Sequence, residues 1–204
     1  MTTLDVETPH GPARVELHPA ESARAALVLG HGAGGGIAAP DLVTATRVAG
    51  SLAMTVALVE QPYRVAGKRS SPPTHQLDTA WTAVLDHLRG GDLRGLPLVA
   101  GGRSAGARVA CRTAPATGAV AVLCLAFPLQ PPRRASGTEP PSRLLELEAV
   151  RVPVLVVQGE GDQFGMPPGG RRRKVVQVPG NHSLRTNQSA IAEAIRPWLA
   201  RVLA

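Results

Sequence analysis

Three side chains suited to acyl transfer follow one another along the chain: Ser104, Asp162 and His182. A serine hydroxyl is a weak nucleophile at neutral pH and needs a base within about 2.6–3.2 Å. His182, two residues after Gly180, is the candidate base. A carboxylate must hold its imidazole in the working tautomer, and Asp162 is the candidate. Glu160 is the alternative acid, set nearer to the strand that precedes both. The order Ser, Asp, His is the one a nucleophile on a strand–turn–helix of a parallel sheet requires. Taken singly, Asp162 also reads as a turn former and His182 as a loop histidine; the three together at successive expected positions favour the catalytic reading.

Ser104 stands in Gly102-Arg103-Ser104-Ala105-Gly106, a G-x-S-x-G. That pattern recurs by chance, and the simpler reading is a glycine loop that turns a βα corner. Here an apolar run, Leu96 to Ala100, enters it and a small-residue helical run leaves it, as the nucleophile turn demands. A Cβ two residues to either side of the serine would clash in so tight a turn. An oxyanion formed at Ser104 needs two backbone N–H donors. Ala105, at the helix start, supplies one. The other comes from Gly30-His31-Gly32-Ala33-Gly34-Gly35-Gly36, through Ala33 or alternatively Gly34. His31 then shapes that loop. The loop has no Gly-Lys-Ser/Thr and reads poorly as a phosphate cradle.

The elements that must position these groups follow from hydrophobic period. Leu4–Glu7 and Ala13–Leu17 alternate apolar and polar residues around Pro9-His10-Gly11-Pro12, an antiparallel hairpin. Continuous apolar runs at Ala25–Leu29, Met54–Val59, Leu96–Ala100, Ala119–Phe127, Val152–Val157 and Lys174–Val178 predict six buried strands. Helices are expected after Pro40-Asp41, from Pro72-Pro73, after Ser104, over Ser142–Val150, and at the end, where Ile191, Ile195, Trp198, Leu199 and Val202 share a face bent by Pro197. Arg64 to Ser71 and Gln130 to Pro141 are expected to be loop. The alternation predicts one α/β domain over residues 1–204, with a doubly wound, mostly parallel sheet of about eight strands. In such sheets reactive groups gather beyond the carboxyl ends of the strands, where Ser104, Asp162, His182 and the glycine loop all fall.

Composition narrows the function. A formal charge of +7 raises the question of nucleic acid, but all except Lys68 and Lys174 of the 22 basic residues are arginines scattered along the chain. Aromatic residues are 2% of the chain, too few to stack bases. Arg171 to Lys174 reads as a solvated face, and His10, His18, His75 and His87 as surface residues. Cys111 and Cys124 read as buried free thiols, with no metal spacing. The N-terminus lacks a basic start and an apolar core of signal type, and no run approaches the ~18 apolar residues of a membrane span. The expectation is a cytoplasmic protein without cofactor or metal, acting on a small molecule, with no membrane or nucleic-acid partner.

His31-Gly32-Ala33-Gly34-Gly35, Glu60-Gln61-Pro62-Tyr63, Gly101-Gly102-Arg103-Ser104, Phe127-Pro128-Leu129 and Gly180-Asn181-His182-Ser183 together resemble a small α/β-hydrolase family. That family is related to the dienelactone hydrolases and includes a subunit of the NSL chromatin complex. The resemblance runs from about Ala25 to the C-terminus and implies an α/β-hydrolase fold without a cap domain. Dienelactone hydrolases carry cysteine at the nucleophile, so Ser104 shifts the expectation from a dienelactone to a general ester or thioester. Members of the family that bind proteins keep a second reading open, a hydrolase-like scaffold that no longer turns over.

Only Pro128–Arg151 separates the strand Ala119–Phe127 from Val152–Val157, and it must also supply a crossover helix. Little chain remains for a lid, so the site should be open and bury little acyl chain, each methylene contributing only ~0.8 kcal/mol. Arg64 or Arg133 is placed to favour anionic substrates. Turnover of p-nitrophenyl esters from acetate to palmitate should be greatest for short chains, and an optimum at long chains would refute the open site.

Overall fold

The computed structural model describes residues 1–131 and 140–204. Its centre is an eight-stranded sheet in the order β1-β2-β4-β3-β5-β6-β7-β8. The strands are β1 Thr2–Val6, β2 Ala13–His18, β3 Ala25–Gly30, β4 Met54–Glu60, β5 Leu98–Arg103, β6 Ala121–Leu125, β7 Val154–Gly159 and β8 Arg173–Val178. β1 and β2 pair antiparallel, β2 joins β4 antiparallel, and every pairing from β4 through β3 to β8 is parallel. This is the doubly wound sheet with an opening hairpin that the hydrophobic pattern predicts.

Side chains alternate across each strand and divide the core into two layers. Ala26, Val28, Ala100, Val122 and Cys124 face the helices α3 Thr74–Gly90, α4 Ala105–Thr117 and α5 Leu144–Glu148. Leu27, Leu29, Val99, Leu123 and Val157 face α1 Pro40–Gly50 and α6 Gln188–Val202. With few aromatic residues the layers close through small helix faces: Ala107, Ala110 and Ala114 of α4 let that helix lie close against the sheet. Cys111 of α4 and Cys124 of β6 are free, buried, and 3.5 Å apart at sulfur. The side chain of Asn187 caps α6 by accepting from the Ala190 N–H at 2.9 Å.

Four expectations need correction. The strand expected over Ala119–Phe127 is β6, Ala121–Leu125; it stops because Ala126 turns to φ 50°, not because of Pro128. The last strand is not buried: among the described residues β8 is the sheet edge with no partner beyond it, and it is half-exposed along most of its length. The loop expected from Arg64 begins inside a short helix, α2 Pro62–Val65, started by a proline at its first position. The helix expected over Ser142–Val150 spans only α5, Leu144–Glu148. Between β6 and β7 the described residues hold that helix and no lid. Among the described residues no helix is long and apolar enough to cross a membrane.

Trp81 of α3 is fully buried, and its ring packs where Gly30 closes β3, 3.2 Å from the place a Cβ would take. It joins the helix layer to the end of the strand that feeds the glycine loop. Trp81→Ala should cost about 3–5 kcal/mol of stability by leaving a cavity there, read from urea unfolding.

Candidate active site

The end of β5 meets the end of β3 backbone to backbone. A Cβ at Gly102 would stand 2.5 Å from the Gly30 carbonyl oxygen, and one at Gly106 would collide with the same carbonyl. Between these two glycines Ser104 adopts φ 52°, ψ −107°, a strained conformation for a residue with a side chain. Its N–H is donated to the Leu125 carbonyl at 2.9 Å, and the Gly106 N–H to the His31 carbonyl at 3.0 Å. Ser104 is also the N-cap of α4, so its side chain stands at the positive end of that helix.

Asp162 and His182 arrive from the neighbouring strand ends β7 and β8. The two loops are laced together: the Gly161 N–H is donated to the Gly180 carbonyl at 2.9 Å. A Cβ at Gly159 would lie 2.6 Å from the Asn181 carbonyl oxygen, so only glycine allows this approach. His182 Nε2 lies 2.9 Å from Ser104 Oγ, and His182 Nδ1 lies 2.8 Å from Asp162 Oδ2. The structure thus brings the three sequence candidates into one hydrogen-bonded line. An ionised carboxylate only accepts, so Nδ1 carries the proton and the Nε2 lone pair faces the serine hydroxyl. The Asp162 carboxylate is fully buried, while the His182 side chain is 19% exposed. Glu160 is exposed, and Asp162 alone of the two acids reaches His182.

The supporting roles of four residues were not legible in the sequence. Gln158, fully buried on β7, directs its amide nitrogen at Asp162 Oδ2 (2.8 Å), the Phe127 carbonyl (3.0 Å) and the Gly165 carbonyl (3.0 Å). All three are acceptors, which fixes the amide orientation. Phe164 donates its N–H to Asp162 Oδ1 at 2.9 Å and packs its ring edge-on against His182, centroids 4.5 Å apart. Tyr63 donates its hydroxyl to the Ala33 carbonyl at 2.9 Å. Arg103 donates to the His182 carbonyl at 2.9 Å and sits 3.0 Å from Asp41. The contacts of Tyr63 and Arg103, and that of Gln158 with Phe127, join segments far apart in the chain, and no local pattern marks them.

His31 shapes the glycine loop. Its Nδ1 lies 2.8 Å from the Gly32 carbonyl, and its Nε2 accepts the Gln61 N–H at 3.0 Å. A carbonyl only accepts and a backbone N–H only donates, so His31 is neutral with its proton on Nδ1. Burial also holds its pKa below the usual histidine value. Because the peptide is trans, anchoring the Gly32 carbonyl fixes the opposite direction of the Ala33 N–H. Among the hydrogen bonds of the described residues, the N–H groups of Ala33, Gly34 and Ala105 have no acceptor, whereas those of Gly35 and Gly106 are taken. Arg64 folds back on its own turn, donating to the Lys68 carbonyl at 3.4 Å. Arg133 lies outside the described residues. Among the described residues no cluster of three His, Cys, Asp or Glu side chains could hold a metal ion.

A family model described as an alpha/beta hydrolase domain matches residues 23–191. The chain belongs to the α/β-hydrolase family. Solved structures agree with that membership in fold. A serine hydrolase without lid from Xanthomonas campestris is similar to this hydrolase with a TM-score of 0.72 at 19% identity, over 97% of this chain and 94% of that one. Dienelactone hydrolase from Anabaena variabilis gives 0.73 at 17% identity, over 98% and 96%. Est1E from Butyrivibrio proteoclasticus gives 0.77 at 12% identity, over 100% and 99%. No curated protein sequence matches the chain.

Asp41 is fully buried in the first turn of α1, and burial raises its pKa from 3.8 to about 6 against the opposing pull of Arg103. The folded state therefore keeps a proton that the unfolded chain releases between those values. The stability of this hydrolase relative to its Asp41→Asn variant should fall as pH rises from about 4 to about 6, by up to about 3 kcal/mol, and level off above. Urea unfolding of both proteins at several pH values measures the difference directly.

Proposed function

We propose that this α/β-hydrolase is a serine hydrolase that cleaves a small carboxylic ester or thioester through an acyl-enzyme. The carrying observation is the unbroken line Ser104 Oγ, His182 Nε2, His182 Nδ1, Asp162 Oδ2, at 2.9 and 2.8 Å. In this reading Ser104 Oγ attacks the substrate carbonyl while its proton passes to His182 Nε2. The resulting imidazolium is stabilised by the Asp162 carboxylate, which keeps its charge. The oxyanion is met by the N–H groups of Ala105 and Ala33, with Gly34 as the alternative to Ala33. Collapse of the tetrahedral intermediate breaks the bond to the alcohol or thiol, which takes the proton from His182. Water, deprotonated by the same nitrogen, then attacks the acyl carbonyl; collapse breaks the bond to Ser104 Oγ, which takes the proton back from His182 as the acid leaves. No cofactor enters this route.

Serine nucleophiles of this kind are captured by fluorophosphonates, so the purified protein should be labelled and Ser104→Ala should not. Ser104→Ala and His182→Ala should each lower p-nitrophenyl acetate turnover by roughly 10³-fold or more, with the double variant little worse. Losses that multiply would mean the two residues do not act as a unit. Absence of labelling in the wild type would favour the scaffold reading.

A further inference from the structure

Arg103, between Gly102 and Ser104, carries its guanidinium into a space bounded by three segments distant in sequence. Nη2 donates to the His182 carbonyl at 2.9 Å. Nε lies 3.0 Å from Asp41 Oδ2 at the start of α1. Nη1 lies over Gly32 of the glycine loop, 2.9 Å from where a Cβ there would stand. The arginine side chain is 14% exposed and the Asp41 side chain not at all. Asp41 is itself held, its Oδ1 accepting the Leu42 N–H at 3.1 Å.

We infer that Arg103 is a positioning residue that ties the main chain of His182 to the strand leading into Ser104, with the Asp41 carboxylate as the counter-charge of its guanidinium. The inference rests on the proposed roles of Ser104 and His182. Asp162 restrains the imidazole at Nδ1, Phe164 packs against its ring and the Gly161 N–H holds the loop at Gly180, but all three restraints come from the loop after β7. None of these restraints reaches the strand that leads into Ser104, so without a further anchor the ring and both loops could shift together relative to Ser104. A guanidinium is a rigid planar fork, and its bond to a carbonyl is charge-assisted and directional. Both ends of the 2.9 Å contact between Oγ and Nε2 are thereby attached to one rigid group: Ser104 through the peptide from Arg103, His182 through its own carbonyl. Asp41 has a separate task. A guanidinium this enclosed needs a counter-charge, and the buried carboxylate supplies it. Gly32 belongs to the same arrangement, since any side chain there would displace Nη1.

The test must separate positioning from stability, because removing Arg103 alone strands a buried carboxylate. Wild type, Ser104→Ala, Arg103→Met, Arg103→Lys and Asp41→Asn/Arg103→Met are compared by fluorophosphonate labelling rate, by kcat and KM on p-nitrophenyl acetate, and by urea unfolding. Misplacing a reacting group by about 1 Å costs on the order of 10²-fold. Arg103→Met and the double variant should therefore lose about 10–100-fold in kcat and in labelling rate, with KM within about twofold. Arg103→Lys keeps a charge beside Asp41 but not the fork, and should fall between them and wild type. It carries the test by itself if the other two do not fold. Wild-type kcat in Arg103→Lys, or a loss in Arg103→Met that the double variant restores, would overturn the inference. A wild-type protein that the probe does not label, or equal labelling of Ser104→Ala, would instead overturn the reading of Ser104 beneath it.

Discussion

The contact on which the site depends is the approach of Gly102 and Gly106 to the carbonyl of Gly30. Parallel strands β3 and β5 are hydrogen-bonded neighbours, and the turn after β5 must fold back over the end of β3. Only residues without a Cβ permit backbone to meet backbone at that distance. The Gly106 N–H then reaches the His31 carbonyl, which joins the start of α4 to the glycine loop. Ser104 is thereby placed beside Gly32, whose Cβ position lies 3.5 Å from the serine Cβ. A larger residue at Gly102 or Gly106 would push Ser104 away from the loop that carries Ala33.

Around this contact the loops are held by polar groups aimed at backbone carbonyls. His31 holds Gly32, Tyr63 holds Ala33, Arg103 holds His182 and Gln158 holds Phe127 and Gly165. Each directs the opposite end of the peptide whose carbonyl it holds. Loops are ordinarily the mobile part of a parallel α/β sheet, and here side chains buried to different degrees restrain them. The helix that follows Ser104 is braced differently. Arg108 and Arg112 of α4 share Glu146 of α5, and Arg112 also grips Asp78 of α3 through two nitrogens. These pairs are only partly buried, and a shared carboxylate orders fewer side chains than separate pairs would.

The sheet decides which loops meet. Because β5, β6, β7 and β8 lie side by side and parallel, the loops after β5, β7 and β8 leave the same edge. The adjacency of β7 and β8 brings an acid three residues past one strand to a histidine four residues past the next. Gly159 and Gly180 allow the two loops to touch, Gly180 with φ 127°. The same adjacency leaves Glu160 turned to solvent although it is closer to its strand.

Much of this hydrolase is legible in its sequence because the relevant signals are local. Continuous apolar runs mark β3 through β7, alternation marks the hairpin, and helical spacing marks the face of α3 from Leu77 to Leu88. The glycines about Ser104 and the order of Ser104, Asp162 and His182 are written in the chain, since topology ties that order to successive strand ends. Element ends are less legible: Ala126 ends β6 by a left-handed turn that its alanine side chain does not announce. The supporting shell was decided by tertiary structure. Nothing near Arg103 in sequence indicates that it answers Asp41, 62 positions earlier, and the carbonyl of His182, 79 later. Tyr63, Gln61 and His31 converge for the same reason, across a parallel strand pair whose register sets who meets whom. Local pattern specifies which face of an element is buried; which distant backbone carbonyl a buried donor finds depends on how the finished layers pack.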